Sequence, residues 1–406
     1  MLMNAERSSR LKTESMTSAC LLASVYLIYL FSNPHLTSYY DYTLRMAEAL
    51  LAFRTSIDYS PPEWLNEMIP GDGRYYSAFP LGSVMSMIPA AILRKAGVIG
   101  SFPGPVIAAL IAAASALLLF KISGSYLNAI WPRVLMSIFP VFGTWMWANL
   151  AFGGAWQIAL GLAVVGQLGA LYFILIRPRP FIAGLFFALA FGNRTEIILL
   201  APVFIYLIYR GNDEIRRRWS SIDRFMIVPV MLGIATLVYN HLRFGNIFDF
   251  GYAHIPGVLE EPWYEQGIFS IHAIPGNAYA MMLEPWERIG HSPYLVPSGF
   301  GGSIFISSPY LLAIFRSGAT DRTLKIISWI STLLLTGVLW CHGNTGGWQF
   351  SYRYAMELLP WAFLIMLESG KNRMRAYEIV LVVVSIAINI WATYLFLRSG
   401  YFRLSG

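Results

Sequence analysis

The chain has 406 residues, of which 56% are hydrophobic and 13% charged, with a mean hydropathy of +0.55. That leaves too few polar side chains to coat a water-soluble globule, and apolar stretches of spanning length recur, which places the chain among polytopic helical membrane proteins. The formal charge of +7 and pI near 9.3 do not indicate a nucleic-acid partner, because Lys and Arg fall in short clusters between apolar runs, as the positive-inside bias distributes them.

Arg7, Arg10 and Lys12 precede the first apolar run, Met16–Ser32. Its end, Phe31-Ser32-Asn33-Pro34, has no small-x-small cleavage site, so the run is expected to stay as a first span with a cytoplasmic N-terminus. The stretch from about 33 to 79 then lies outside, carrying Asp41, Glu48, Asp58, Glu63, Glu67 and Asp72, the densest set of acids in the chain. Asp41 opens an amphipathic segment in which Leu44, Ala47, Leu50 and Leu51 repeat at helical spacing. Two readings stay open for it: a helix N-cap, or a general base at the membrane surface, where low-dielectric surroundings raise a carboxyl pKa. Asp58, before Ser60-Pro61-Pro62, and Asp72, within Gly71-Asp72-Gly73, read as turn residues. Gly73-Arg74-Tyr75-Tyr76-Ser77 reads either as interfacial aromatics or as a clamp for a phosphate and a sugar.

Phe79-Pro80-Leu81-Gly82 leads into a second run that ends near Leu93, with Arg94 and Lys95 expected to stop it in the cytoplasm. Further runs at 104–120, 134–150, 156–176, 181–209, 225–242, 303–315, 326–341, 355–367 and 379–397 bring the expected spans to about eleven, with the C-terminus outside. One passage resists this count. Arg177-Pro178-Arg179-Pro180 and Arg216-Arg217-Arg218 both favour the cytoplasm, yet a single crossing through 181–209 separates them. Splitting that run at Gly192-Asn193 reunites them, but reverses every later loop unless an earlier run fails to cross.

Asn193-Arg194-Thr195-Glu196 lies inside an apolar run and needs internal partners, so either Arg194 pairs with Glu196 or it faces a wet cavity. Asn240 and Arg243 close the seventh span before the bend at Gly245. The second outside loop, 243–302, is expected to hold a surface helix over Gly276–Ile289, with Trp286 at the interface. A third, 342–354, joins Gly346-Gly347-Trp348 to Arg353-Tyr354. Arg74, Arg194, Arg243 and Arg353 all fall near the outer edge, where an arginine either snorkels to head groups or binds an anion.

Cys20 and Cys341, far apart in apolar runs, read as core packing. The six histidines are scattered, which leaves a divalent metal unsupported, and there is no phosphate-binding glycine loop, HExxH, CxxC or GxSxG. No repeat or linker interrupts the chain, so 1–406 is expected to be one transmembrane unit.

The order of these features resembles the membrane-embedded glycosyltransferases of the GT-C superfamily, in particular the family 39-like proteins similar to protein O-mannosyltransferases and lipid A aminoarabinose transferases. The pieces that carry the resemblance are Tyr39-Tyr40-Asp41-Tyr42 after the first span, Gly73-Arg74-Tyr75-Tyr76-Ser77 with Phe79-Pro80-Leu81-Gly82, Tyr239-Asn240 with Arg243-Phe244-Gly245 and Gly251-Tyr252, Ser308-Pro309, and Gly346-Gly347-Trp348 with Arg353-Tyr354 and Leu359-Pro360. It implies an all-α polytopic fold whose extracytoplasmic loops carry short surface helices. It also implies inverting transfer of a sugar from a polyprenyl-phosphate donor to a lipid, glycan or protein hydroxyl, on the outer face of a plasma or inner membrane. By position Asp41 is then the base. The family often shows two adjacent acids where this chain has Asp41-Tyr42, which weighs against a metal-assisted variant.

Departure of a polyprenyl phosphate calls for cations, so Arg243 and Arg353 are expected on the leaving phosphate and Arg74 with Tyr75 near the donor head group. Arg194, Asn240, Trp348 and Tyr354 complete the expected substrate contacts. A lipid or sugar transporter is the alternative, since polar residues in broken helices also line transport paths. The transferase reading requires Asp41 and the arginines to meet in one pocket.

Overall fold

The computed structural model describes the backbone of residues 2–211, 214–347, 349–370 and 374–399, with side chains from Lys12 onward. It is a bundle of helices, as expected of apolar runs that must satisfy their own backbone groups in lipid. The first helix, α1 (Leu2–Ser32), is followed by α2 (Tyr42–Leu51), a hairpin of β1 (Met68–Gly71) and β2 (Arg74–Ser77), then α3 (Leu81–Ser86) and α4 (Ile88–Lys95). Next come α5 (Gly104–Ser123), α6 (Ile130–Phe142), α7 (Met146–Ala151), α8 (Ala155–Leu171, continued as a π-helix to Ile176), α9 (Pro180–Asn193), α10 (Ala201–Arg210) and α11 (Ile215–Phe244). The second half holds α12 (Ile274–Met282), a two-residue pairing of β3 (Glu287–Arg288) with β4 (Leu295–Val296), α13 (Ile304–Ser307), α14 (Arg322–Cys341), α15 (Leu359–Ser369) and α16 (Ala376–Leu397).

Six stretches among the described residues are long and apolar enough to cross a membrane: Lys12–Ser32, Gly104–Ser123, Ala155–Ile176, Ile215–Phe244, Arg322–Cys341 and Ala376–Leu397. The other apolar runs form shorter or broken helices. Polar contacts sort the helix ends into two sets. At one end Asn33 donates to the Ala151 carbonyl (3.0 Å), Asn149 to that of Phe350 (2.8 Å), and the Ala155 amide to that of Tyr40 (3.1 Å). At the other, Glu14 meets Lys121 (3.2 Å) and Arg133 (3.0 Å), Arg210 meets Asp321 (2.8 Å), and Glu368 accepts from Tyr126 (2.7 Å) and from the Asp321 amide (2.6 Å).

Three expectations need correction. The run to Leu93 does not carry Arg94 to the far end: Arg94 lies 3.4 Å from Glu48 and 3.8 Å from Asp41, so α3 and α4 stay at the Asp41 end. Close backbone approach holds them there, since a Cβ on Gly82 of α3 would stand 2.4 Å from the backbone of Gly192 in α9. The run 181–209 is not one helix but turns back at Asn193-Arg194, where α9 gives way to a 3₁₀ segment, Thr195–Leu200, and then α10. Cys20 is exposed on the bundle's apolar surface rather than packed in its core, and Cys341 is half-buried.

Local chemistry was otherwise a good guide outside the spans. Asp72 (φ 50°) and Gly73 (φ 71°) form the tight turn of the β1–β2 hairpin, where left-handed backbone is tolerated by Asp and free for Gly. Gly245 (φ 73°) ends α11 in the left-handed conformation. The surface helix in the second loop is α12, shorter than Gly276–Ile289, and Trp286 beyond its end packs edge-on against Phe350 (5.8 Å).

Candidate functional site: a charged cavity at the Asp41 end of the bundle

A cavity of about 1590 Å³ opens at the end of the bundle where α8 and α11 meet the long loops. Its walls come from distant segments: Glu67 before the hairpin, Trp156 at the start of α8, Arg194 and Glu196 at the α9 break, Tyr252 in the second loop, His342 at the end of α14, and Arg353 with Tyr354.

Glu67 is one of its carboxylates and is half-buried. One oxygen, Oε2, accepts a hydrogen bond from Trp156 Nε1 at 2.5 Å. Burial raises its pKa above the ordinary carboxylate range, opposed by the Trp156 hydrogen bond and the positive charge of Arg353.

Arg353 is held by its own loop. Its Nη1 donates to the Gly347 carbonyl (2.9 Å), Nη2 to the Tyr354 hydroxyl (3.2 Å), and its amide to Gln349 Oε1 (3.0 Å). The Nε atom is buried and has no partner among the described residues. The residue lines the cavity, and a guanidinium there is a ready contact for an anionic oxygen. The loop reaches this shape through Gly346, at φ 96°, whose missing Cβ would lie 3.0 Å from Gln349 Oε1 and 3.2 Å from Arg353 Nε.

Arg194 answers both of the readings open for it. It lines the cavity, and its guanidinium bonds Glu196 (2.5 Å) and Glu357 (2.6 Å). Two carboxylates already neutralise it, so it is not a free phosphate ligand. The Arg194 and Arg353 guanidinium carbons each lie 5.0 Å from the centroid of the Tyr354 ring. Glu357, fully buried, was not singled out in the sequence because its partner lies 163 positions away.

The remaining expected residues are elsewhere. Asp41 does not line the cavity: its carboxylate is bonded by Arg45 Nε (2.7 Å), lies 3.8 Å from Arg94, and makes no capping bond to α2. Arg243 is buried, donates to the Ser77 carbonyl and to Asn240 Oδ1 (2.8 Å), and stacks over Tyr239 and Phe244; it ties the end of α11 to the hairpin. Asn240 donates to the Ile247 carbonyl (3.1 Å), which also secures that turn. Arg74 is exposed on the hairpin, and Tyr75 exchanges backbone hydrogen bonds with Ile57 (2.9 Å each); neither lines the cavity. Trp348 lies outside the described residues. The meeting of Asp41 with the arginines that the sequence reading required does not occur: of the expected set, the structure brings together Arg194, Arg353 and Tyr354, and Glu67 and His342 join them.

Glu67 was visible as one acid among six in its loop, and nothing local marks it; its hydrogen bond to Trp156 spans 89 positions. His342 shows a weak signal, a histidine where an apolar helix runs into a glycine-rich loop. Among the described residues no group of three or more His, Cys, Asp or Glu is arranged to hold a metal ion. No protein-family model, no curated protein and no solved structure matches the chain.

Proposed function

We propose that this chain is a membrane glycosyltransferase that moves a sugar from a polyprenyl-phosphate donor to a hydroxyl acceptor, with Glu67 rather than Asp41 as the general base. The observation that carries the reading is that a half-buried carboxylate, Glu67, and a half-buried arginine with no carboxylate bridge among the described residues, Arg353, line one cavity at one end of an apolar bundle. The cavity's volume exceeds the usual 300–1,000 Å³ of single-ligand sites and leaves room for donor head group and acceptor together.

In this reading Glu67 takes the proton of the acceptor hydroxyl as its oxygen attacks the anomeric carbon. The bond from that carbon to the phosphate oxygen breaks, and the electron pair leaves with the polyprenyl phosphate, whose growing negative charge the Arg353 guanidinium meets. Arg194, already paired, serves to hold Tyr354 and the break in α9.

The proposed topology runs through eleven crossings: α1, α5, α6, α8, α9, the stretch 195–210, α11, the stretch 304–315, α14, the stretch 353–369 and α16. Compared with the sequence expectation, the run to Leu93 is lost and the run 181–209 counts twice. The Arg177/Arg179 and Arg216–Arg218 clusters then share the end opposite the cavity, and the positive-inside bias makes that end cytoplasmic and the cavity extracytoplasmic. The N-terminus is inside and the C-terminus outside.

The test is incubation of the purified protein with labelled polyprenyl-phosphate sugars and candidate acceptors, followed by product analysis. Release of carrier phosphate coupled to a new glycoside supports transfer. Transport is the second reading, favoured by the two 3₁₀ breaks, Thr195–Leu200 and Arg353–Leu358, that meet at the Arg194–Glu357 bridge. Sugar or lipid crossing a proteoliposome bilayer with the donor intact would decide for it.

A further inference from the structure

His342 lines the cavity, and the proposed reaction does not use it. Its backbone is fixed on three sides: the Ser270 amide donates to the Cys341 carbonyl (2.7 Å), the Gly343 amide to that of Ile268 (2.8 Å), and Asn277 Nδ2 to that of His342 itself (2.5 Å). Its ring stands among four aromatic rings, with centroids at 6.0 Å for Tyr252, 5.9 Å for Tyr264, 5.5 Å for Phe269 and 5.7 Å for Tyr354.

The tautomer follows from one contact. Nδ1 lies 2.9 Å from the Asn344 carbonyl oxygen, which only accepts, so Nδ1 carries the proton. In the neutral ring Nε2 is then a lone pair. It has no protein partner among the described residues, and the residue lines the cavity. The charged and titratable groups around the ring are Arg194, Glu196 and Arg353 from the α9 break and the loop after α14, and the hydroxyls of Tyr252, Tyr264 and Tyr354.

We infer that His342 Nε2 is the hydrogen-bond acceptor for a hydroxyl of the donor's sugar, with the surrounding aromatic rings as the walls of a saccharide subsite. This rests on the transferase reading for the identity of the ligand, but not for the tautomer or the open lone pair. A fixed neutral acceptor beside aromatic rings matches a hydroxylated ring and has nothing to offer a phosphate, which Arg353 serves beside Tyr354. Burial and the nearby guanidiniums hold the imidazole pKa below its ordinary value of 6.5, so the acceptor form persists through neutral and mildly acidic pH.

Diethyl pyrocarbonate, which acylates only unprotonated imidazole nitrogen, tests the inference on the full-length protein in detergent, with peptide mapping by mass spectrometry. His342 is expected to be carbethoxylated with a pH midpoint below 6.5, and to be protected by a polyprenyl-phosphate hexose but not by polyprenyl phosphate without sugar. Absence of modification in the folded protein, equal protection by the sugar-free carrier, or no protection by the hexose donor would each overturn it. Protection without turnover would remove the transferase reading and leave the sugar subsite standing. In the transfer assay, His342→Asn, which keeps a donor near Nδ1 only, should raise the donor KM about tenfold with a smaller change in kcat, whereas His342→Gln, with an amide near Nε2, should recover most of it. Equal loss in both variants would mark a purely structural role and overturn the assignment.

Discussion

Asp41 and Glu67 sit in the same stretch between α1 and α3, and their neighbours decide which of them has chemistry to do. Arg45, one helical turn on, and Arg94, brought back by α4, engage the Asp41 carboxylate, whereas Glu67 keeps one oxygen on Trp156 and faces the cavity. Glu67→Gln is therefore expected to lower the transfer rate by about 10²–10⁴-fold while leaving folding intact, and Asp41→Asn to retain transfer. Loss of transfer in Asp41→Asn with activity retained in Glu67→Gln would return the base to Asp41. The pH profile gives a second check. A base works when ionised, and burial raises the Glu67 pKa above 4.5, so the rate should fall as pH drops through a limb lying above that value. A limb at or below the ordinary carboxylate range would exclude Glu67. At Gly346, a Cβ strains both the left-handed backbone and the Arg353 contact, so Gly346→Ala should destabilise the fold by about 1–3 kcal/mol and weaken donor binding, read by thermal unfolding and donor KM.

At the scale of elements, two local departures from continuous helix shape the site. The turn at Asn193-Arg194 places Arg194 beside Glu357, itself in the 3₁₀ segment Arg353–Leu358. Buried ion pairs contribute little net stability when intact, but removing one partner strands the other charge. Glu357→Ala is thus expected to cost about 3–5 kcal/mol, measured as loss of thermal stability in detergent, while a Glu357→Ala variant as stable as the parent would deny the bridge that role. The second departure is the return of α4 to the Asp41 end. A cysteine introduced at Lys95 should react with an impermeant thiol reagent from the same side as one introduced at Asp58, and from the side opposite one introduced at Ser125. Labelling of Lys95→Cys together with Ser125→Cys would restore a crossing through α3 and α4.

For the whole molecule, the decisive feature is that one end of the bundle is tied down by ion pairs and the other is hollow. At the far end Glu14, Arg210, Asp321 and Glu368 close helix to helix, and at the near end the loops arch over the cavity. Among the described arginines that line the cavity, Arg353 has no carboxylate bridge, while Arg194 is spoken for by two acids.

The membrane class, the helical fold and the long loops are legible in the order of residues alone, because apolar run length and the spacing of polar breaks are local properties that lipid enforces directly. So are the turn at Asp72-Gly73, the bend at Gly245 and the conflict at 181–209, each written in adjacent residues. Which acid and which arginines share the cavity was settled by the packing of distant segments. Pairings such as Glu67 with Trp156, Arg194 with Glu357 and Arg94 with Asp41 depend on which helices pack side by side, and a carboxylate carries no local mark of whether a distant chain segment will neutralise it or leave it free.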